Sequence, residues 1–166
     1  MAMIQETNAL EINARVNGSD IAEHAPVRMH AADFLRKRCG ATGVHIGCEQ
    51  GVCGMCTVLV DGVAIKSCLM LAVQLDGCEV RTVESLAVGD SLNELQKAFR
   101  ENHGLQCGFC TPGFLMLATS LKQSGKRYSL AQLRDEVSGV LCRCTGYEGQ
   151  VRAIAQYLGD QMVTEG

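Results

Sequence analysis

Cys48, Cys53 and Cys56 stand in the spacing Cys-x4-Cys-x2-Cys, and Cys68 follows after eleven intervening residues. Four thiolates on one short stretch are soft ligands that favour zinc or iron–sulfur clusters over hard cations. The Cys-x4-Cys-x2-Cys pattern with a later cysteine is the plant-type ferredoxin spacing for a [2Fe–2S] cluster. Such a loop must wrap closely enough for backbone N–H groups to reach the sulfurs. Gly47, Gly51 and Gly54 permit that, so replacing one is expected to disturb the cluster before the fold. Structural zinc loops usually carry Cys-x2-Cys on both sides, and the x4 gap departs from that habit without excluding zinc. A Rieske centre needs two histidine ligands, and His24, His30, His45 and His103 do not pair with cysteines at a suitable spacing.

A second set is formed by Cys107-x2-Cys110 and Cys142-x-Cys144. A lone Cys-x2-Cys is weak evidence, being equally a thiol redox pair or half a zinc site. Four thiolates on two chain turns suit a second [2Fe–2S] cluster, with zinc open on spacing alone. Cys39 and Cys78 are left over among apolar neighbours, where a free thiol is packing material, and they are assigned no ligand role.

The rest of the chain bounds what these cysteines can serve. It has 166 residues, 47% of them hydrophobic and 4% aromatic with no Trp, which allows one ordinary domain or two small ones with modest cores. Fifteen basic and 18 acidic residues are interspersed, leaving no electrostatic footprint for nucleic acid or an anionic membrane. No apolar run approaches the ~18 residues that span a bilayer. The first residues show no export address, so a cytoplasmic protein is expected, in which cysteines serve metal or redox chemistry rather than disulfides.

The elements that must position the cysteines follow from pattern. Alternation over Leu10–Val16, then Asn17-Gly18, predicts a β-hairpin continuing toward Val27. Residues 30–39 predict a short helix ending at Gly40. A glycine-rich loop runs from Ala41 to Cys56. A second hairpin, Thr57–Val60 and Val63–Ile65, turns at Asp61-Gly62. A short helix is expected over 69–75 and a strand from Glu79 to Val83. After Glu84 the texture becomes helical. Ser91 with Glu94 and Ser129 with Gln132 have reciprocal capping spacing, and Thr111-Pro112 and Gly149 mark two further starts. Helices are predicted over 91–102, 112–124, 129–139 and 149–162. The second-set cysteines lie in the two connections Leu105–Pro112 and Val140–Gly146, which predicts a pseudo-two-fold four-helix bundle with both turns at one end. The fold class is α+β, with domains 1–84 and 85–166.

These motifs in this order resemble the small iron–sulfur subunit of the xanthine oxidase family of molybdenum hydroxylases. The match is carried by Gly47-Cys48-Glu49-Gln50-Gly51-Val52-Cys53-Gly54-Met55-Cys56-Thr57, Gln106-Cys107-Gly108-Phe109-Cys110-Thr111-Pro112-Gly113 and Leu141-Cys142-Arg143-Cys144-Thr145-Gly146-Tyr147. It extends from about Leu10 to about Tyr157. The resemblance implies a plant-ferredoxin-like (β-grasp) domain and a four-helix bundle, each holding a [2Fe–2S] cluster. It implies electron flow from a molybdenum–pterin cofactor through the Cys107, Cys110, Cys142, Cys144 cluster, then the Cys48, Cys53, Cys56, Cys68 cluster, to flavin. It implies that Gln106, otherwise an ordinary polar turn residue, hydrogen-bonds the pterin. It further implies a large molybdenum-binding partner, a medium FAD-binding partner and a heterotrimer doubled to a heterohexamer. The reaction implied is hydroxylation of a carbon centre with water as the oxygen source, with an N-heteroaromatic ring as the preferred substrate class. Catalytic residues are then expected on the large partner and none here.

The competing class is a stand-alone iron–sulfur carrier or redox sensor. A freestanding carrier has a polar surface all round, whereas a subunit keeps apolar faces for its partners.

Overall fold

Asn17 and Gly18 sit at φ 51° and 83°, and Asp61 and Gly62 at 49° and 82°. Two consecutive positive φ values give the two-residue hairpin turn whose twist matches that of paired strands. The computed structural model, which describes residues 8–87, 89 and 91–163, therefore contains both expected hairpins. Strand β1 (Ala9–Val16) pairs antiparallel with β2 (Ser19–Pro26), and β3 (Thr57–Val60) with β4 (Val63–Lys66). Strand β5 (Glu79–Arg81) joins them, parallel to β1 and antiparallel to β3, giving the order β2-β1-β5-β3-β4. The strand expected over 79–83 stops at Arg81 because Val83–Leu86 turns into a 3₁₀ helix. The helix expected over 69–75 is instead two 3₁₀ turns, Ser67–Leu69 and Ala72–Leu75, interrupted by extended Met70 and Leu71.

Helix α1 (Ala31–Lys37) begins where His30 Nδ1 accepts the Asp33 N–H at 3.0 Å. It lays Phe34 and Leu35 on the sheet face formed by Ile12, Val16, Val58, Val60 and Val80, all buried. Each large side chain removed from water contributes about 1.5–3 kcal/mol.

Four helices follow: α2 (Glu94–Glu101), α3 (Thr111–Gln123), α4 (Leu130–Val137) and α5 (Tyr147–Leu158). The reciprocal cap Ser129/Gln132 forms as predicted at α4. At α2 the cap is Asn93 with Gln96, not Ser91 with Glu94, because Asn93 has the same three-residue spacing to an amide and is as good a capping residue. Thr111 does not cap α3; it is the first helical residue, Pro112 follows in the first turn, and the Thr111 hydroxyl is buried without a partner. Helix α5 starts at Tyr147, two residues before Gly149. The helices alternate short and long, at 8, 13, 8 and 12 residues. Helix α5 packs on α2, α3 and α4. Among the described residues, no helix is long and apolar enough to cross a membrane.

Two hydrophobic cores result, one based in each half of the chain, and residues of the first half contribute to both. The helical core, around Phe99, Phe114, Met116, Leu133 and Ile154, also contains Cys53, Met55 and Leu59 from the first half. All four residues of β3 are buried, with Val58 and Val60 facing the α1 side and Leu59 facing α3.

Candidate metal centres

The distance between Cys56 and Cys68 along the chain is the length of one closed hairpin. Strands β3 and β4 pair Thr57 with Lys66, so the hairpin returns the chain beside its start. Ser67 then donates both its N–H (3.2 Å) and its hydroxyl (2.7 Å) to the Cys56 carbonyl, and the neighbouring Cys68 thiol meets that of Cys56. The loop carrying the other two cysteines is tied from outside. The Arg36 guanidinium, on α1, donates to the carbonyls of Thr42 and of Val44, the latter at 2.8 Å, and Glu84 accepts the Gly43 N–H at 2.7 Å. Within the loop, the N–H groups of Gln50 and Cys53 each approach Cys48 Sγ to 3.4 Å, and the thiols of Cys48 and Cys53 meet each other. Backbone amides of Met55 and Gly47 point to Cys53, and that of Gly51 to Cys68. Amides reach the sulfurs as expected.

The second set lies on the α2–α3 and α4–α5 connections. Here Cys107 meets Cys144 and Cys110 meets Cys142. The Gly146 N–H donates to Cys142 Sγ at 3.4 Å, and the Cys142 N–H donates to the Tyr147 hydroxyl at 2.8 Å.

All eight expected thiols thus come together as two sets of two pairs: Cys48 with Cys53 and Cys56 with Cys68, then Cys107 with Cys144 and Cys110 with Cys142. Among the described residues, no three Cys, His, Asp or Glu side chains converge on one ion. Two thiols per metal, in adjacent pairs, fit a two-iron cluster, whereas a mononuclear zinc site needs four donors around one point. Local donors favour anionic sulfur at three of these positions, Cys48, Cys107 and Cys142. Amides of Cys53 and Gln50 bring the Cys48 thiol down to about 7, and the Phe109 amide lowers Cys107. At Cys142, burial opposes ionisation, but the Gly146 N–H and the Gln150 amide outweigh it and the thiol ends below its ordinary range. The partners of these three move the other way, and Cys68 rises as well. Burial pushes Cys53 up, Cys68 up to about 11 and Cys110 up to about 12, and the Cys107 side chain raises Cys144. Bare thiols packed this closely share protons; a cluster replaces those protons with iron.

The remaining thiols stand outside these pairs. Burial, then Glu23, raises Cys39 to about 11; burial, then Asp61 and Asp76, raises Cys78. Gln106 is exposed beside Cys107 and donates its amide to the Cys144 carbonyl at 3.2 Å.

The two sets are joined directly. The Leu141 N–H donates to the Cys53 carbonyl at 2.9 Å. Gly54 lies so close to the opposing chain that a Cβ there would stand 2.2 Å from the Gly139 carbonyl oxygen, and one on Gly113 would stand 2.5 Å from the Gly54 oxygen. Gly54 is therefore required for contact between the halves, a role distinct from the cluster contact expected of it. His45 closes the other side, its ring stacked on Phe109 with centroids 4.7 Å apart and Nδ1 donating to the Phe109 carbonyl at 2.7 Å.

Sequence reasoning missed Gln150, which is buried on α5 with Nε2 3.5 Å from Cys110 Sγ. The available signal was a polar residue on the stripe it shares with Ile154 and Leu158 at four-residue steps.

Comparison with known proteins agrees with this geometry. Residues 14–87 match the 2Fe-2S iron-sulfur cluster binding domain and residues 82–155 the [2Fe-2S] binding domain. The chain is 49% identical over 146 residues to caffeine dehydrogenase subunit gamma of Pseudomonas sp. strain CBB1, covering 86% of this chain and 87% of that one. It is 47% identical over 148 residues to the nicotine 6-hydroxylase small subunit of Paenarthrobacter nicotinovorans, covering 89% of each. In the crystal structure of quinoline 2-oxidoreductase from Pseudomonas putida 86, one chain superposes with a TM-score of 0.87 at 49% identity, over 92% of this chain and 94% of that one. The chain belongs to the small [2Fe–2S] subunits of the xanthine oxidase family, the non-catalytic iron–sulfur subunits of multi-subunit molybdenum-dependent oxidoreductases.

Proposed function

We propose that this chain carries electrons one at a time from a molybdenum–pterin centre on a large partner subunit to a flavin or other acceptor. Cys107, Cys110, Cys142 and Cys144 hold the cluster nearer molybdenum, and Cys48, Cys53, Cys56 and Cys68 the one nearer the acceptor. Each cluster, when bound, takes up and returns a single electron. The observation that carries the reading is the pairing of eight thiols into two sets joined through one hydrogen bond, Leu141 N–H to the Cys53 carbonyl. Because Cys53 belongs to one set and Leu141 precedes Cys142 of the other, this bond supplies the proposed route between clusters. Gln106, exposed beside Cys107, is the residue we propose to meet the pterin.

The proposed holoenzyme hydroxylates a carbon centre using water as the oxygen source, and an N-heteroaromatic ring is the substrate class we favour. Support comes from relatives named for caffeine, nicotine and quinoline, which all carry such rings. We further propose a medium FAD-binding subunit, a doubled heterotrimer, a cytoplasmic location and two structural units over 1–84 and 85–166. The alternation of helix lengths supports the proposed internal two-fold of the second unit.

The test is to purify the chain with whatever accompanies it, and to measure iron, acid-labile sulfide, molybdenum and zinc, with EPR after dithionite reduction. Four irons per chain, the content of two 2Fe-2S sites, with two signals and a molybdenum-bearing partner is the expected result. Zinc in place of iron, or iron with no such partner, overturns it.

A further inference from the structure

Gln150 is 1% exposed, yet it carries a primary amide into the core of the helical half. Burying an amide is costly unless partners satisfy it, so its surroundings need an account. Nε2 stands 3.5 Å from Cys110 Sγ, and the same amide also reaches the Cys142 thiol. Cys110 and Cys142 form one of the two thiol pairs of the second set. A primary amide has two N–H donors, and here two sulfurs face it. Oε1 has no partner, so the donor end is the satisfied end. The other pair, Cys107 and Cys144, lies nearer solvent and receives backbone donors. The asymmetry is built in: the buried pair alone has a core side chain aimed at its sulfurs.

We propose that Gln150 sets the reduction potential of the cluster held by the helical half, by donating hydrogen bonds to the sulfurs of Cys110 and Cys142. Reduction adds one negative charge to a cluster already anionic through its four thiolates. Hydrogen bonds to ligand sulfur stabilise that added charge and raise the potential, and they act more strongly where water is excluded. Gln150 is thus a positioning residue that works through two ligands rather than a ligand itself. Its effect is directed at one cluster, because the two sulfurs it reaches, on Cys110 and Cys142, both belong to the second set. The consequence is directional: the amide makes this cluster the better acceptor of an electron from its molybdenum partner.

The inference rests on the proposed iron–sulfur reading, and its test separates the two. The assembled complex carrying Gln150→Leu, which keeps an apolar side chain of similar length in the core, is titrated potentiometrically while each cluster is followed by EPR. At a fixed ambient potential the reduced-to-oxidised ratio of the helical-half cluster is expected to fall about tenfold, or about 59 mV for a one-electron couple. The other cluster is expected to stay within twofold of wild type. Both clusters present with unchanged ratios overturns the role of Gln150 while leaving the electron-transfer reading intact. A wild-type chain without iron overturns both. If Gln150→Leu fails to retain its cluster, the decision passes to Gln106→Ala protein labelled with side-chain ¹⁵N glutamine. Pulsed EPR of the reduced helical-half cluster then shows a glutamine nitrogen coupling if Gln150 donates to its sulfurs. Absence of that coupling overturns the proposal.

Discussion

Replacing Gly54 with alanine separates two costs that usually arrive together. Gly54 has φ +67°, and an L-residue in that region costs about 1–2 kcal/mol. Its new Cβ would also lie 2.2 Å from the Gly139 carbonyl oxygen and 3.0 Å from Val140 Cα, both backbone atoms that no rotamer change can move away. Overpacking of this kind adds about 1–3 kcal/mol. The total is about 2–5 kcal/mol, and at about 2–4 °C per kcal/mol for a chain of this size the melting temperature falls by about 4–20 °C. Gly62→Ala is the control. Gly62 has φ +82° and nothing within 4 Å of its Cβ direction, so only the conformational cost applies, about 2–8 °C by the same conversion. The assay is thermal loss of visible iron–sulfur absorbance in the as-purified protein, with both variants measured together. Gly54→Ala should also slow electron exchange between clusters, because separating the loops lengthens the Cys53–Leu141 hydrogen bond. Equal falls for the two variants would refute the claim that contact between the loops, rather than local backbone conformation, makes Gly54 necessary.

Cys68→Ser should leave half the iron and one of two EPR signals, because the second set shares no cysteine with the first. Arg36→Ala removes charged hydrogen bonds to the Thr42 and Val44 carbonyls, each worth about 1.5–3 kcal/mol, and should speed amide exchange over 40–47 and loss of iron to a chelator. Cys39, raised from 9.0 to about 11, should react with iodoacetamide about 100-fold more slowly at pH 8 than a free thiol, since the thiolate is the nucleophile. The sign for stability follows: its neutral form is favoured by folding, so its contribution is fully present below pH 9 and is lost as pH rises through about 11. A rate equal to that of a free thiol would show Cys39 to be open to solvent. Thr145, β-branched at φ 59° at the end of the turn that starts at Cys142, should give a more stable protein as Thr145→Gly, by about 1 kcal/mol, read as a higher urea midpoint.

Much of this was legible because the chemistry and the turns are both local. The ligand spacings lie within short segments, and Asn17-Gly18 and Asp61-Gly62 announce their hairpins by type. The capping signal was less decisive at α2, where Ser91/Glu94 and Asn93/Gln96 satisfy the same pattern and the side chain nearer the true start prevails. Other features depend on tertiary contact and leave no periodic trace. Leu59 reads only as part of a hairpin strand, and four residues are too few to say which layer covers each face. Pairing of thiols within each set is likewise a property of the fold, since spacing names the cysteines without saying which two meet. Gln150 stood in plain view as a polar break in an apolar stripe, and only the nearness of Cys110 gives that break a meaning.

Strand β3 carries a consequence for anyone who would divide this chain. It is the middle layer of the molecule, lending Val58 and Val60 to one interior and Leu59 to the other. A fragment ending near residue 84 would present Leu59, Met55 and Cys53 to water, and a fragment beginning there would lack part of its own floor. Melting should therefore proceed as one cooperative event rather than two, and grafting either half onto a foreign redox protein will succeed only when the complementary surface travels with it.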